Sequence, residues 1–227
     1  MSKSELKFAV VGCGNIGTRH IGHVENLAEL AAICDNNPNK LEKFSNSTAR
    51  KFENLTEMLA EMSGKIDVVS ICTPNGLHAE HTIAALRAGF HVLCEKPMAL
   101  SSEDCGEMIK VAEQMNRRLF VVKQNRYNPP IVAVKELIDQ GALGKIYSAH
   151  LNCFWNRNAG YYENSWKGSN DLDGGCLYTQ FSHFIDLLYW MVGDVRDALA
   201  MVDNFNHQDL VEYEDSGVVA LRFNNGA

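Results

Sequence analysis

The chain has 227 residues and a formal net charge of −7, with 46% hydrophobic and 22% charged residues. This composition is typical of a folded globular protein and argues against general disorder. The acidic balance, without any cluster of Lys and Arg, argues against nucleic acid as a partner, because phosphate backbones require a basic face. No apolar run approaches the roughly 20 residues of a membrane span, so no membrane partner is predicted.

The cysteines and the amino terminus bear on where the protein works. The seven cysteines are scattered, and no two have the Cys-x-x-Cys spacing of a zinc or redox site. Scattered, reduced thiols are typical of cytoplasmic proteins. The first residues are polar and lead directly into a strand pattern, which is unlike a signal peptide. We therefore expect a cytoplasmic protein with no disulfide framework and no metal site.

The first half of the chain alternates short apolar runs with segments of helical spacing. Short, nearly continuous apolar runs are typical of strands buried on both faces of a parallel sheet. Their alternation with helices predicts an α/β fold with a doubly wound Rossmann sheet. The predicted strands cover residues 6–11, 30–34, 68–72, 92–94 and 119–122, and the predicted helices cover residues 16–29, 38–52, 77–88 and 101–115.

The pattern changes after about residue 125, so we place one domain at residues 1–125 and a second at residues 126–227. An irregular polar and aromatic loop fills residues 156–173. Asn225-Gly226 follows the last predicted strand as a hairpin signal without a returning strand, so we expect the second domain to be incomplete at its C-terminus. Predicted helices cover 131–140 and 177–192, and predicted strands cover 145–155, 195–202 and 216–223, which indicates an antiparallel sheet.

A glycine motif, Gly12-x-Gly14-x-x-Gly17, follows the first predicted strand and opens the first predicted helix. Such glycines permit a tight turn, close approach of the backbone to a pyrophosphate, and helix packing, while the helix N-terminus supplies positive potential. Asp35 ends the next strand, where a carboxylate accepts hydrogen bonds from the adenosine ribose and repels a 2′-phosphate. NAD is therefore favoured over NADP. The predicted cofactor-binding residues of this region are Gly12, Gly14, Asn15, Ile16, Gly17 and Asp35; the alternative is a set of turn residues that bind no nucleotide.

Two further predicted strands end at the same edge of the sheet as the glycine motif and Asp35, where such sheets bind ligands. Thr73-Pro74-Asn75 ends the third strand, where an ordinary strand-to-helix turn is the alternative. Glu95-Lys96-Pro97 ends the fourth. Because ligands of open α/β sheets bind beyond the carboxyl ends of the strands, Lys96 is placed to meet a substrate. The alternative is a solvated loop lysine.

These motifs together resemble the Gfo/Idh/MocA oxidoreductases, and the resemblance covers nearly the whole chain. Its most specific element is Glu95-Lys96-Pro97. The resemblance implies hydride transfer between NAD or NADP and a carbinol or carbonyl of a sugar, cyclitol or related small molecule. It also implies a second α/β domain with a mostly antiparallel open sheet that binds substrate and forms homo-oligomers in the full-length protein. The residues that carry it are 11–17 with His20, 72–75 with His78, 95–97, Gly174-Gly175, His183 and Asp186.

One departure from the family pattern narrows the substrate class. Many members carry an aspartate four residues before the helix histidine, whereas this chain has Thr179 before His183. A threonine orients an imidazole but does not balance an imidazolium charge. Together with the aromatic and basic loop at 154–169, this resembles the nucleotide-sugar branch, including the UDP-N-acetylglucosamine and UDP-N-acetylglucosaminuronate 3-dehydrogenases.

The candidate catalytic residues are Lys96 and His183. Lys96 needs burial or nearby positive charge to act as a base, because its ordinary pKa is about 10.4, whereas histidine starts near about 6.5. Which of the two is the base stays open. The remaining cofactor candidates are Thr73, Pro74, Asn75, His78, Glu95, Lys96 and Gln124. The substrate candidates are Lys96, Arg126, Tyr127, Arg157, Lys167, Thr179, Gln180 and His183, with Arg157 and Lys167 as cations for a diphosphate.

Two other functions are compatible with the same motifs. One is a non-catalytic regulator that binds a dinucleotide to sense redox state. The other is a reductase of the same fold that acts on a cyclitol or another small molecule. The polar and aromatic loop at 156–169 favours a carbohydrate.

Overall fold

The computed structural model describes residues 4–227, which divide after Val122 into two compact units. The first unit is a six-stranded parallel sheet with helices between its strands, in the order β3-β2-β1-β4-β5-β6. The Rossmann prediction is confirmed. Its elements are β1 (Lys7–Val11), α1 (Asn15–Leu27), β2 (Glu29–Cys34), α2 (Pro38–Glu42), β3 (Arg50–Phe52), α3 (Leu55–Glu61), β4 (Val68–Ile71), α4 (His78–Arg87), β5 (His91–Cys94), α5 (Ser102–Gln114) and β6 (Leu119–Val121).

Apolar residues on both sheet faces form the core of this unit. On one face Val10 and Ile33 pack with Ile21 of α1, and on the other Val69 and Val92 pack under α3 to α5. All four residues of β4 are buried. The order of the strands reverses between β1 and β4, so the carboxyl ends of these neighbours flank the crevice in which such sheets bind ligands.

The helix ends follow capping chemistry. The Ser101 side chain accepts a hydrogen bond from the Asp104 N–H at the start of α5, as its sequence position predicts. Gly89 has φ +91° and follows the Ala88 C-cap of α4, a position where glycine commonly ends a helix.

One predicted helix is wrong in part. Residues 38–52 form the short α2, a series of turns and the extra strand β3, because Ser45 to Thr48 are poor helix formers. β3 pairs with β2 in parallel and extends the sheet at its edge.

The second unit contains helices and a two-stranded antiparallel sheet. The antiparallel pairing of β7 and β8 is confirmed, with Val195 opposite Phe223 and Asp203 opposite Ser216. Its elements are α6 (Pro129–Asp139), α7 (Ala159–Tyr162), α8 (Cys176–Thr179), α9 (Ser182–Val192), β7 (Val195–Asp203) and β8 (Ser216–Phe223), together with a 3₁₀ turn at Gln124–Tyr127.

One predicted element of this unit is wrong, and another is wrong in part. Residues 145–155 form no strand, since in the described part of the chain β7 and β8 pair only with each other and leave this segment without a ladder. The predicted helix 177–192 is two helices, α8 and α9, with a break at Gln180–Phe181.

Candidate functional site

The glycine loop lies between β1 and α1, and two of its glycines are required by its own packing. Gly12 has φ +90°, and a Cβ there would lie 2.6 Å from the Cys72 carbonyl oxygen. A Cβ on Gly17 would lie 1.8 Å from the Gly12 carbonyl oxygen. Neither position accepts a side chain, so these glycines set the shape of the loop.

Gly14 differs, because a Cβ there would meet no protein atom within 4 Å. Gly14 is the N-cap of α1, forms no side-chain cap, and is followed by a first turn without acidic residues. The N–H groups of a first helical turn have no intrahelical acceptors and favour an anion. Open space in front of such N–H groups fits the pyrophosphate of a dinucleotide.

Asp35 lies beside this loop at the end of β2 and is 6% exposed. Its Oδ2 accepts the Cys13 N–H at 2.8 Å, and its Oδ1 accepts the Asn37 N–H at 2.9 Å. The Lys40 ammonium lies 3.3 Å from Oδ2. The carboxylate is thus fixed next to the pyrophosphate loop, as a ribose ligand requires, while the contact of Lys40 with Asp35 was not predicted.

His78 connects the loops that follow β4 and β5. Its ring is fully buried, with Nδ1 2.7 Å from the Pro97 carbonyl oxygen and Nε2 2.9 Å from the Thr73 carbonyl oxygen. Burial lowers the pKa of His78, and a neutral ring donates to one of these carbonyls at a time. Both ring nitrogens are used inside the protein, which gives His78 a structural role beside the predicted cofactor role.

Glu95 is 5% exposed, and both of its carboxylate oxygens have partners. Oε1 lies 2.9 Å from His20 Nε2, and Oε2 accepts the Lys96 N–H at 3.1 Å. Burial opposes ionisation, but the hydrogen bonds from His20 and from the Lys96 backbone outweigh it, so the pKa of the Glu95 carboxyl falls below its usual value. Lys96 itself is partly buried at the end of β5.

The second unit contains the remaining candidates. His183 is the second residue of α9 and is partly buried. The Thr179 hydroxyl donates to the Gly175 carbonyl at 3.0 Å and is therefore directed to the backbone of its own helix. Gln180 lies in the break between α8 and α9.

Arg126 forms a bidentate ion pair inside the second unit. Its Nε and Nη2 each donate to the Asp186 carboxylate at 2.7 Å, and Lys123 lies 3.7 Å from the same carboxylate. Tyr127 is 81% exposed and Gln124 is also exposed. This ion pair joins the 3₁₀ turn to α9 and so gives Arg126 a structural role. The predicted role of Arg126 in substrate binding stays a prediction.

Arg157 and Lys167 both contact the Tyr161 ring. The Lys167 ammonium lies 3.8 Å from the ring centroid and the Arg157 guanidinium carbon 4.5 Å, with the Trp155 centroid 4.1 Å from the same guanidinium. The carboxylate of Asp173 acts on Lys167, and Arg157 Nε is buried without a hydrogen-bond partner. Burial lowers the pKa of Lys167.

A buried pair fixes the backbone at Arg157. His207 Nε2 lies 2.7 Å from the Arg157 carbonyl oxygen, and its Nδ1 lies 2.8 Å from Asp215 Oδ2. The hydrogen bond to the Arg157 carbonyl, together with Asp215, raises the pKa of His207. Sequence reasoning did not identify this pair, because neither residue belongs to a recognisable motif.

The cysteines are free thiols, and four of them are buried. Burial raises the pKa of Cys13 and Cys34 to about 12, so these thiols beside the glycine loop are protonated and unreactive. Among residues 4–227 no three His, Cys, Asp or Glu side chains are grouped as metal ligands. No helix in the described part of the chain has the length and apolar character needed to cross a bilayer.

A parallel sheet with this strand order, an open glycine-loop helix and a carboxylate at the end of β2 define a dinucleotide-binding protein of the Rossmann class. Residues 6–123 match the GFO_IDH_MocA model, described as an oxidoreductase family with an NAD-binding Rossmann fold, and residues 131–227 match the GFO/IDH/MocA C-terminal domain. The chain belongs to the Gfo/Idh/MocA oxidoreductase family, and the predicted resemblance is confirmed.

Solved structures of relatives agree with the predicted branch. The WlbA dehydrogenase of Bordetella pertussis, solved with NADH and UDP-GlcNAcA, is 42% identical with a TM-score of 0.93, covering 99% of this chain and 69% of that one. The WlbA dehydrogenase of Chromobacterium violaceum, solved with the same two ligands, is 38% identical with a TM-score of 0.94, covering 100% of this chain and 66% of that one.

Among characterised relatives, the D-glucoside 3-dehydrogenase of Escherichia coli is 34% identical over 154 residues, covering 65% of this chain. This chain spans 43% of the length of that enzyme. An Escherichia coli 2,7-anhydro-N-acetylneuraminate hydratase is 31% identical over 206 residues, and the chain spans 52% of its length.

Proposed function

We propose that the protein transfers a hydride between NAD and a secondary alcohol of a nucleotide sugar. The observation that carries this proposal is the crevice of the first unit, where the open N-terminus of α1, Asp35 and Lys96 all lie at the carboxyl ends of one parallel sheet. The dehydrogenase relatives support the reaction class.

The residues of the first unit fit NAD. The first turn of α1 would hold the pyrophosphate, and Asp35 would accept hydrogen bonds from the adenosine ribose. Bound NAD supplies the hydride acceptor. The protein supplies the binding site, the orientation and a group that takes the hydroxyl proton.

Lys96 and His183 are the proposed groups for proton transfer. Lys96 lies on a turn that Glu95 fixes through the Lys96 N–H, and His183 lies in the first turn of α9. Both side chains are partly buried, so a bound substrate would desolvate them further. One of them removes the hydroxyl proton and the other donates a hydrogen bond that orients the hydroxyl.

Arg157 and Lys167 are the proposed ligands of the substrate diphosphate. Arg157 and Lys167 lie against one aromatic ring and form a local positive site in a chain of net charge −7, although the carboxylate of Asp173 also acts on Lys167. Both contact the Tyr161 ring, and Trp155, which is 52% exposed, provides an aromatic face beside them. Two neighbouring cations match a diphosphate, which carries two negative charges, better than a neutral sugar.

The diphosphate assignment is tested by binding of UDP and uridine to the full-length protein. Arg157→Gln and Lys167→Gln are each expected to weaken UDP binding by about tenfold or more and to leave uridine binding unchanged. Lys145→Gln is the matched control, because Lys145 also lies over a tyrosine ring, that of Tyr147 at 5.3 Å. UDP affinities within twofold of wild type in both variants would contradict the assignment.

The catalytic assignment is tested by turnover of UDP-N-acetylglucosaminuronate, UDP-N-acetylglucosamine and glucose with NAD. Lys96→Met and His183→Ala are each expected to lower kcat by about 100-fold or more, because one change removes the base and the other removes the hydrogen bond that orients the hydroxyl. If both variants turn over like wild type, these roles are wrong. NADH binding without turnover of any substrate would favour a regulatory function.

The exposed sheet of the second unit supports a homo-oligomer. Leu199, Met201 and Val218 on β7 and β8 are 69%, 76% and 74% exposed. The resemblance to the Gfo/Idh/MocA family implies a homo-oligomer, and we propose that in the full-length protein a second copy packs against this sheet. Light scattering should report a dimer or larger assembly that Leu199→Glu dissociates, and a wild-type monomer at micromolar concentration would contradict this.

The free thiols support a reducing, cytoplasmic location.

A further inference from the structure

A chain of hydrogen bonds between buried side chains crosses the first unit directly beneath the Lys96 turn. Ser70 Oγ lies 2.8 Å from His20 Nδ1, and His20 Nε2 lies 2.9 Å from Glu95 Oε1. Ser70 is fully buried, and the His20 side chain is 13% exposed. The three residues come from α1, β4 and the end of β5, so the chain connects the cofactor-binding helix to the turn that carries Lys96.

The hydrogen-bond partners assign the proton positions. The Glu95 carboxylate accepts and has no proton to donate, so His20 Nε2 carries a proton toward it. In the neutral ring Nδ1 is then the acceptor of the Ser70 hydroxyl proton. The second Glu95 oxygen accepts the Lys96 N–H at 3.1 Å. His20 therefore orients a carboxylate that in turn binds the backbone of Lys96.

Burying such a polar network costs folding free energy that apolar packing at the same position does not. A buried carboxylate and imidazole are desolvated, and apolar residues of similar volume commonly stabilise a fold equally well. Their neighbours in the sheet, Val69 and Val92, are apolar and fully buried. A polar network at this position is more readily explained by control of geometry than by stability.

We propose that His20 is a positioning residue for Lys96. Through Glu95 it fixes the Lys96 backbone relative to α1, so that the lysine and the pyrophosphate-binding helix keep one geometry. This inference rests on the catalytic role proposed above for Lys96. It assigns His20 no contact with substrate or cofactor.

The test uses the full-length protein with His20→Ala, His20→Gln and His23→Ala. His23 lies one turn further along α1 with an exposed side chain and is the matched control. His20→Ala should lower kcat by about 10-fold or more while KM for NAD and for the sugar stays within twofold. His20→Gln keeps a donor and an acceptor and should recover part of kcat. His23→Ala should match wild type.

Hydrogen exchange of the Lys96 N–H provides a readout that does not depend on turnover. His20→Ala should increase its exchange rate by about 10-fold or more, because Glu95 loses the partner that orients it. If exchange and kcat of His20→Ala both equal those of His23→Ala, the inference is wrong. The inference is also wrong if the kcat of His20→Ala falls only in proportion to its thermal stability and His20→Gln recovers neither kcat nor stability. Faster exchange in His20→Ala, combined with full turnover of Lys96→Met, would keep the positioning contact and reject the catalytic role of Lys96.

Discussion

At the residue scale, the three glycines of one motif have different physical roles. Gly12 and Gly17 are required by the loop itself, since a Cβ would lie 2.6 Å and 1.8 Å from backbone oxygens. Gly14 faces open space. The sequence motif predicts a tight turn, close approach to a pyrophosphate and helix packing, and the structure shows which glycines shape the loop and that Gly14 faces open space.

Alanine substitutions should separate these roles. Gly14→Ala is expected to keep the thermal stability of wild type but to weaken NADH binding by on the order of tenfold, about 1.4 kcal/mol. Gly12→Ala should destabilise the protein by at least about 1 to 2 kcal/mol, because alanine disfavours a positive φ. Calorimetry and NADH titration measure both quantities. Loss of stability in Gly14→Ala with unchanged NADH affinity would contradict the assignment.

Asp35 and Lys40 together suggest how the cofactor preference is set. Asp35→Ser removes the charge that repels a 2′-phosphate and releases Lys40, which lies 3.3 Å from Asp35 in the wild type. We expect this variant to lose NADH affinity and gain NADPH affinity by about tenfold. The double variant Asp35→Ser with Lys40→Met should not show this gain in NADPH affinity. Equal NADPH affinity in the single and double variants, measured by fluorescence titration, would show that Lys40 has no part in it.

At the scale of elements, the His207–Asp215 pair joins the segment between β7 and β8 to the Arg157 backbone. The folded-state pKa of His207 lies above its ordinary 6.5, so its contribution to stability is complete below about pH 6.5 and is lost as pH rises through the folded value. Burial opposes ionisation of Asp215, but hydrogen bonds from the Phe205 N–H, His207 and the Asn206 N–H outweigh it and lower its pKa from 3.8 to about 2. The contribution of Asp215 to stability is therefore complete above about pH 4 and is lost as pH falls toward 2.

This pair predicts that the second unit loses stability as pH rises above about 6.5. His207→Gln should remove that dependence, and His150→Gln, an exposed histidine of the same unit, should keep it. All three tryptophans lie in the second unit, at positions 155, 166 and 190, so tryptophan fluorescence reports its thermal unfolding directly. An unchanged pH slope in His207→Gln would contradict the role of the pair.

The elements that sequence predicts well are those fixed by local signals. Short sequence patterns are enough to predict β1, the glycine loop and the Ser101 cap. Strand β3 was missed because Arg50-Lys51-Phe52 has no apolar run, and 145–155 was mistaken for a strand because alternation identifies faces but not a partner. The His20 network joins residues 50 and 75 positions apart, which no local pattern encodes.

At the scale of the whole molecule, both units match one oxidoreductase family, over residues 6–123 and 131–227. The first unit has the features needed for a dinucleotide, and the second places the cations of Arg157 and Lys167 against the Tyr161 ring. These features make a nucleotide-sugar dehydrogenase the function that we propose.

The most direct test is hydride transfer from a labelled substrate. UDP-N-acetylglucosaminuronate carrying deuterium at the carbon to be oxidised is incubated with NAD and the full-length protein, and the reduced cofactor is analysed by mass spectrometry. We predict one deuterium per reduced nicotinamide, with Lys96→Met slowing its appearance by about 100-fold. Reduced cofactor without deuterium, or no reduction although NAD and the nucleotide sugar are both bound, would contradict the proposed reaction.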